Sequence, residues 1–158
     1  MGFDRIDYGV GGIALLSPAE LEQGQIGYSV TPQGTTLIGD GDGDWQFNWL
    51  VIGYETACGD PIFMSVVPPH PVYTAMHGQG SWNAKLVAPS LDIFWKCLEV
   101  FLQFATGRGS PVQVDANPPS DDEVAAYLQS IDQLCNGDAD AHDFWLVQAE
   151  IGMQSDEL

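Results

Sequence analysis

The clearest periodicity in the chain runs from residue 91 to residue 102. Leu91, Phe94, Trp95, Leu98, Phe101 and Leu102 recur at the three- and four-residue spacing of one helix face. Pro89-Ser90 opens this helix, and Gly107 supplies a left-handed stop. Ile93, Cys97, Val100 and Phe104 form a second apolar line, which leaves Asp92, Lys96, Glu99 and Gln103 as the polar stripe. A helix apolar nearly all round is covered on more than one side. A sheet is expected on one side, and the C-terminal segment or a second subunit on the other. Both a monomer and a homodimer therefore stand open.

Two further helices follow. Ser120-Asp121-Asp122-Glu123 is a capping box with acids at the positive helix end, and Val124, Tyr127, Leu128, Ile131 and Leu134 give the apolar face up to Asn136-Gly137. A weaker helix is expected from about Ala141 to Ile151, with Asp140 as its cap. Gly107 to Pro119 reads as a loop or linker. Near the start, Ser17-Pro18-Ala19-Glu20 announces a short helix that ends by Gly24, after a turn at Gly9-Val10-Gly11-Gly12 and a short strand from Ile13 to Leu16.

Between residues 25 and 88 the pattern changes to strands. Gln25–Val30, Thr35–Ile38, Asn48–Tyr54, Ile62–Val67 and Val72–Ala75 are β-rich runs punctuated by Gly, Pro, Asn and Asp. Consecutive strands followed by helices define an α+β chain with one mainly antiparallel sheet, not alternating βαβ units. The 158 residues suit one domain, 1–158, in which 109–158 forms an acidic helical C-terminal extension.

Charge narrows the function. The chain has 22 acidic and 4 basic residues, a net charge of −18, and every Lys and Arg lies before residue 109. Such a field repels nucleic acid and anionic membranes; it speeds encounter with a basic partner, or serves solubility alone, or marks a halophilic source. No run of 18 apolar residues occurs, so no membrane-spanning helix is expected. Cys58, Cys97 and Cys135 are odd in number and form no CxxC pair, which fits reduced thiols in the cytoplasm. Asp4, Arg5 and Asp7 interrupt any N-terminal signal sequence, so the ending Asp156-Glu157-Leu158, which resembles an ER-retention tail, is not expected to be read.

Candidate chemistry is sparse. Asp40, Asp42 and Asp44 match the first ligands of a calcium loop, but Trp45 stands where Gly is required and Val51 where a bidentate Glu is required. His70 and His77, near Cys58 and Asp60, lack metal-ligand spacing. Cys58 with His70 is a poor nucleophile and base, because Glu55 and Asp60 flank the thiol and raise its pKa. No catalytic residue, cofactor or metal is expected. Trp49 and Trp95 read as core. Trp45 and Trp82 lie in polar, turn-like segments and read as exposed anchors.

An ordered set of short motifs spans residues 9–105. It comprises Trp49-Leu-Val-Ile-Gly53-Tyr54, Gly59-Asp60-Pro61-Ile62-Phe63, Pro71-Val72-Tyr73, His77-Gly78, Trp82, and Ala88-Pro89-Ser90-Leu91 with Phe94. In order and spacing it resembles the SUKH superfamily of fungal cell-wall regulators and bacterial immunity proteins. The family's opening helix with its Leu-Pro and Tyr signature has no counterpart ahead of Gly11-Gly12. The resemblance implies a curved sheet with helices packed on it, no enzymatic activity, and an immunity protein that neutralises a cognate toxin domain. A regulatory or scaffold protein with an endogenous partner is the alternative, and an uncharacterised enzyme the third. Together with the charge, it places the expected partner surface, for a basic toxin domain, on Asp40, Asp42, Asp44, Glu55 and Asp60, with Trp45 or Trp82 as apolar anchor.

Overall fold

The computed structural model describes residues 4–154, so the Asp156-Glu157-Leu158 ending lies outside the described residues. The chain is α+β. Six strands form one curled, wholly antiparallel sheet whose spatial order equals their chain order: β1 (Arg5–Tyr8), β2 (Gly11–Leu15), β3 (Trp49–Glu55), β4 (Pro61–Ser65), β5 (Val72–Thr74) and β6 (Lys85–Ala88). The helices are α1 (Leu21–Gly24), α2 (Leu91–Ala105), α3 (Pro111–Ala116), α4 (Asp121–Leu134) and α5 (Ala139–Gly152). No helix among the described residues is long and apolar enough to cross a membrane.

Side-chain alternation along the strands sends residues to opposite faces, and both faces are buried. On β4, Ile62 points into the core under the helices, and Phe63 points into a second core on the other face. The first core joins Ile6, Tyr8, Ile13 and Val87 to Phe94, Leu98 and Phe101 of α2. It also takes in Tyr127 and Ile131 of α4 and Trp145 of α5, so the acidic C-terminal helices share the core of the sheet. They cover the second apolar line of α2, with the Phe104 ring stacked on Tyr127 at 4.6 Å. Trp145 Nε1 donates to Val87 O at 3.1 Å and Tyr127 Oη donates to Trp145 O at 2.9 Å, which ties α4 and α5 to β6.

Each long helix begins where its cap stands. Ser90 Oγ accepts from Ile93 N at 3.1 Å. Ser120 and Glu123 close the full capping box. Asp138, two residues before the expected cap, accepts from Ala141 N at 3.0 Å and starts α5 at Ala139. Asn136 and Gly137 both adopt positive φ, which ends α4 and turns the chain.

Four local expectations need correction. Residues 25–30 and 35–38 are not strands: they make only single bridges within an irregular segment that folds over the second face. Gln25 anchors that segment. Its amide accepts from Val51 N at 2.9 Å and donates to Val51 O at 2.8 Å, standing in for one residue of a neighbouring strand. Arg5–Tyr8 forms a strand ahead of the Gly9-Val10 turn. Lys85–Ala88 forms the last strand. The stretch expected as a linker contains α3, capped by Ser110 and begun by Pro111.

Candidate partner-binding surfaces

The structure divides the expected surface into three. Asp40, Asp42 and Asp44 are exposed and line, together with Trp82, one side of a groove of about 460 Å³. Phe47 lines it as well and is 81% exposed. Glu55 and Asp60 line a different cleft, and Trp45 lines neither.

The exposed loop is built on the buried Trp45. This is a correction: Trp45 is 0% exposed and fills the second core, so it is not a surface anchor. Its ring packs edge-on against Trp49 at 5.0 Å and Trp82 at 5.3 Å, and its indole N–H donates to Trp49 O at 3.0 Å. Trp45 N bonds Leu37 O at 3.0 Å, and Asp44 Oδ2 accepts from Gly41 N at 2.9 Å. The loop is thus closed on itself by one carboxylate. Those of Asp40 and Asp42 face solvent without a protein partner among the described residues. Among these residues no three His, Cys, Asp or Glu side chains gather as metal ligands.

Trp82 is half-buried beneath the groove, against Trp45 and Tyr28. The projecting aromatic is instead Phe47, which sequence reasoning missed. The alternation Trp45-Gln46-Phe47-Asn48-Trp49 carries a signal, since it mimics a strand with three aromatics on one face. The chain here is irregular, so Trp45 turns inward and Phe47 outward.

Glu55 also needs correction, because it is 4% exposed. Its Oε1 accepts from the backbone N–H of Cys58, and from Gly59 N at 2.9 Å, so this oxygen builds the β3–β4 turn. Its Oε2 is buried without a hydrogen-bond partner. Asp60 is held at 2.5 Å by His77 Nδ1 and also accepts from His77 N at 3.2 Å, which ties the residue-77 loop to the start of β4. Burial, then the nearby Glu55 and Asp60, push the exposed Cys58 thiol up from its ordinary pKa, so it is a weaker nucleophile than an ordinary cysteine.

Compared with known proteins, the chain matches no family model, no curated protein and no solved structure.

Proposed function

We propose that this chain is a non-catalytic, cytoplasmic binding module whose acidic loop grips a basic protein partner. One observation carries the reading: the unpartnered carboxylates of Asp40 and Asp42 stand beside the 81%-exposed ring of Phe47 on one groove. Carboxylates in this position steer a basic partner and set register, and an aromatic ring supplies the desolvated anchor. Trp45 underneath holds the loop in shape, which lowers the ordering cost of binding. The resemblance to the SUKH superfamily gives the biological form, an immunity protein that neutralises a cognate toxin domain.

The test begins with a basic protein recovered from source-cell lysate at low salt and then purified. Its association with the native chain is compared with that of two variants, Asp40→Asn/Asp42→Asn/Asp44→Asn and Phe47→Ser. The triple variant is expected to slow association about tenfold at low salt and to flatten the salt dependence. Phe47→Ser is expected to speed dissociation. A partner that is a toxin whose activity the chain abolishes supports immunity. A partner that is an endogenous, non-toxic protein moves the reading to a regulatory scaffold. Unchanged kinetics in both variants overturn the proposed surface.

A further inference from the structure

A second cleft, of about 360 Å³, lies between α5 and the adjoining ends of β3, β5 and β6. It shares no lining residue with the groove of the acidic loop. Its volume falls within the range of small-molecule pockets, about 300–1,000 Å³.

Four carboxylates line it, from Glu55, Asp60, Asp140 and Asp143, against one cation, Lys85. Met76, Phe144 and Val147 add apolar surface, with Met76 59% and Val147 42% exposed. One polar atom in the lining is buried without a partner, and a second side chain offers a free amide. Glu55 is 4% exposed, and its Oε2 has no hydrogen-bond partner. Gln148 is also 4% exposed, and its side-chain amide has no partner among the described residues. A buried carboxylate oxygen left unpaired costs stability, and an incoming donor recovers that cost. The first oxygen of Glu55 is already engaged by the turn N–H groups, so its side chain is held in place rather than free to turn toward water.

We propose that this cleft binds one organic cation, an ammonium or guanidinium group carried on an apolar stem, with Glu55 as counter-ion. The charged head lies over Glu55 and the Gln148 amide oxygen, and a small shift of the lining brings the buried Oε2 of Glu55 into reach. The stem lies along Met76, Phe144 and Val147, and Asp140 and Asp143 attract the head from the α5 side. A metal ion is disfavoured by the lining, where no three ligating groups converge among the described residues. The same chemistry comes from two sources, a free small amine or guanidine and an arginine side chain presented by another polypeptide. The inference does not depend on the acidic loop or on its partner.

The experiment is calorimetric titration of the full chain with n-butylguanidinium and with a blocked Gly-Arg-Gly peptide, against n-butanol and butyrate as controls. Saturable one-site binding of either cation, absent for both controls, supports the proposal; the tighter of the two names the source. Glu55→Gln keeps an acceptor for the turn N–H groups and is expected to weaken binding roughly tenfold or more. Lys85→Met removes the one repelling cation and is expected to strengthen it. If circular dichroism shows Glu55→Gln to be unfolded, Asp143→Asn serves instead and is expected to weaken binding. No saturable binding of either cation overturns the proposal. So does equal affinity in the charge-neutralised variant, or tighter binding of butyrate than of the cations.

Discussion

Arg108 Nη2 donates to Glu123 Oε2 at 2.8 Å, and this contact joins the end of α2 to the first turn of α4. The guanidinium is buried and also donates to Phe104 O at 3.0 Å and Asn117 O at 2.8 Å. Glu123 is half-exposed, so the carbonyl bonds dominate the energetics. Arg108→Met removes the guanidinium, whose carbon stands 5.6 Å over the Phe104 ring, and strands both carbonyls. It is expected to cost about 2–4 kcal/mol in denaturant unfolding. An effect near zero would show that water replaces the guanidinium.

The same contact gives a pH dependence. Arg108, then the Ser120 N–H, lowers the Glu123 carboxyl below its ordinary value of 4.5. A depressed folded-state pKa contributes stability that is present above the unfolded value and lost as pH falls through the folded one. Glu123→Gln is therefore expected to make melting temperature less sensitive to pH below 4.5. Melts of the two proteins across that range check it, and parallel curves would contradict it.

Gly152 closes the far end of α5 on the Tyr8 ring. A Cβ at this position would sit 1.7 Å from Tyr8 Cδ1, inside a ring that is 0% exposed. The opposing Gly9, at φ +54, is equally tight: its Cβ would meet Gly152 O at 1.8 Å. Neither the helix end nor the hairpin can give way alone. Gly152→Ala is expected to cost about 3 kcal/mol or more, which for this length lowers the melting temperature by about 10 °C. A melting point equal to wild type would mean that α5 does not dock on the Gly9-Val10 turn.

The parts of the fold that show in the sequence are those with local grammar. Ser90, Ser120 and the Asn136-Gly137 stop each act where they stand, and Leu91–Ala105 has enough turns for its stripe to emerge. The strands of the central hairpins are apolar on both faces and stand out for that reason. Arg5–Tyr8 and Lys85–Ala88 do not, because they have four residues each and carry charges on their outward sides. The site was half visible. Asp40, Asp42 and Asp44 are exposed as polar turn residues usually are. Trp45 sits among acids and glycines, and only the aromatic cage of Trp49, Phe63 and Trp82 makes it core. Glu55 is a charge at a strand end, and its burial follows from turn N–H groups that no spacing reveals.

Trp45 is expected to govern the acidic loop although it does not reach the surface. Trp45→Ala removes a fully buried indole and should cost about 3–5 kcal/mol. Trp45→Phe keeps most of the packing but loses the bond to Trp49 O, and should cost about 1–2 kcal/mol. In Trp45→Phe the amides of Gly41 and Asp44 should exchange with solvent faster, since both are bonded within the loop that the indole supports. Unaltered exchange would mean that the loop holds its shape without the indole.

The three thiols should separate cleanly by reactivity. Cys97 of α2 and Cys135, which caps the end of α4, are buried with their sulfurs 3.7 Å apart, and Cys58 is exposed. The neighbouring thiol and burial push Cys97 up from its ordinary pKa, so neither access nor ionisation favours its attack. In the native protein a disulfide reagent is expected to titrate Cys58 alone, with Cys97 and Cys135 reacting only on unfolding. Cys58 should itself react more slowly than free cysteine near pH 8, because burial, Glu55 and Asp60 all raise its pKa. Glu55→Gln removes one of those causes and should speed the reaction without changing the number of accessible thiols. Two or more fast thiols in the native chain would show that α2 and α4 part readily. A rate for Cys58 unchanged by Glu55→Gln would show that its carboxylate does not act on the thiol.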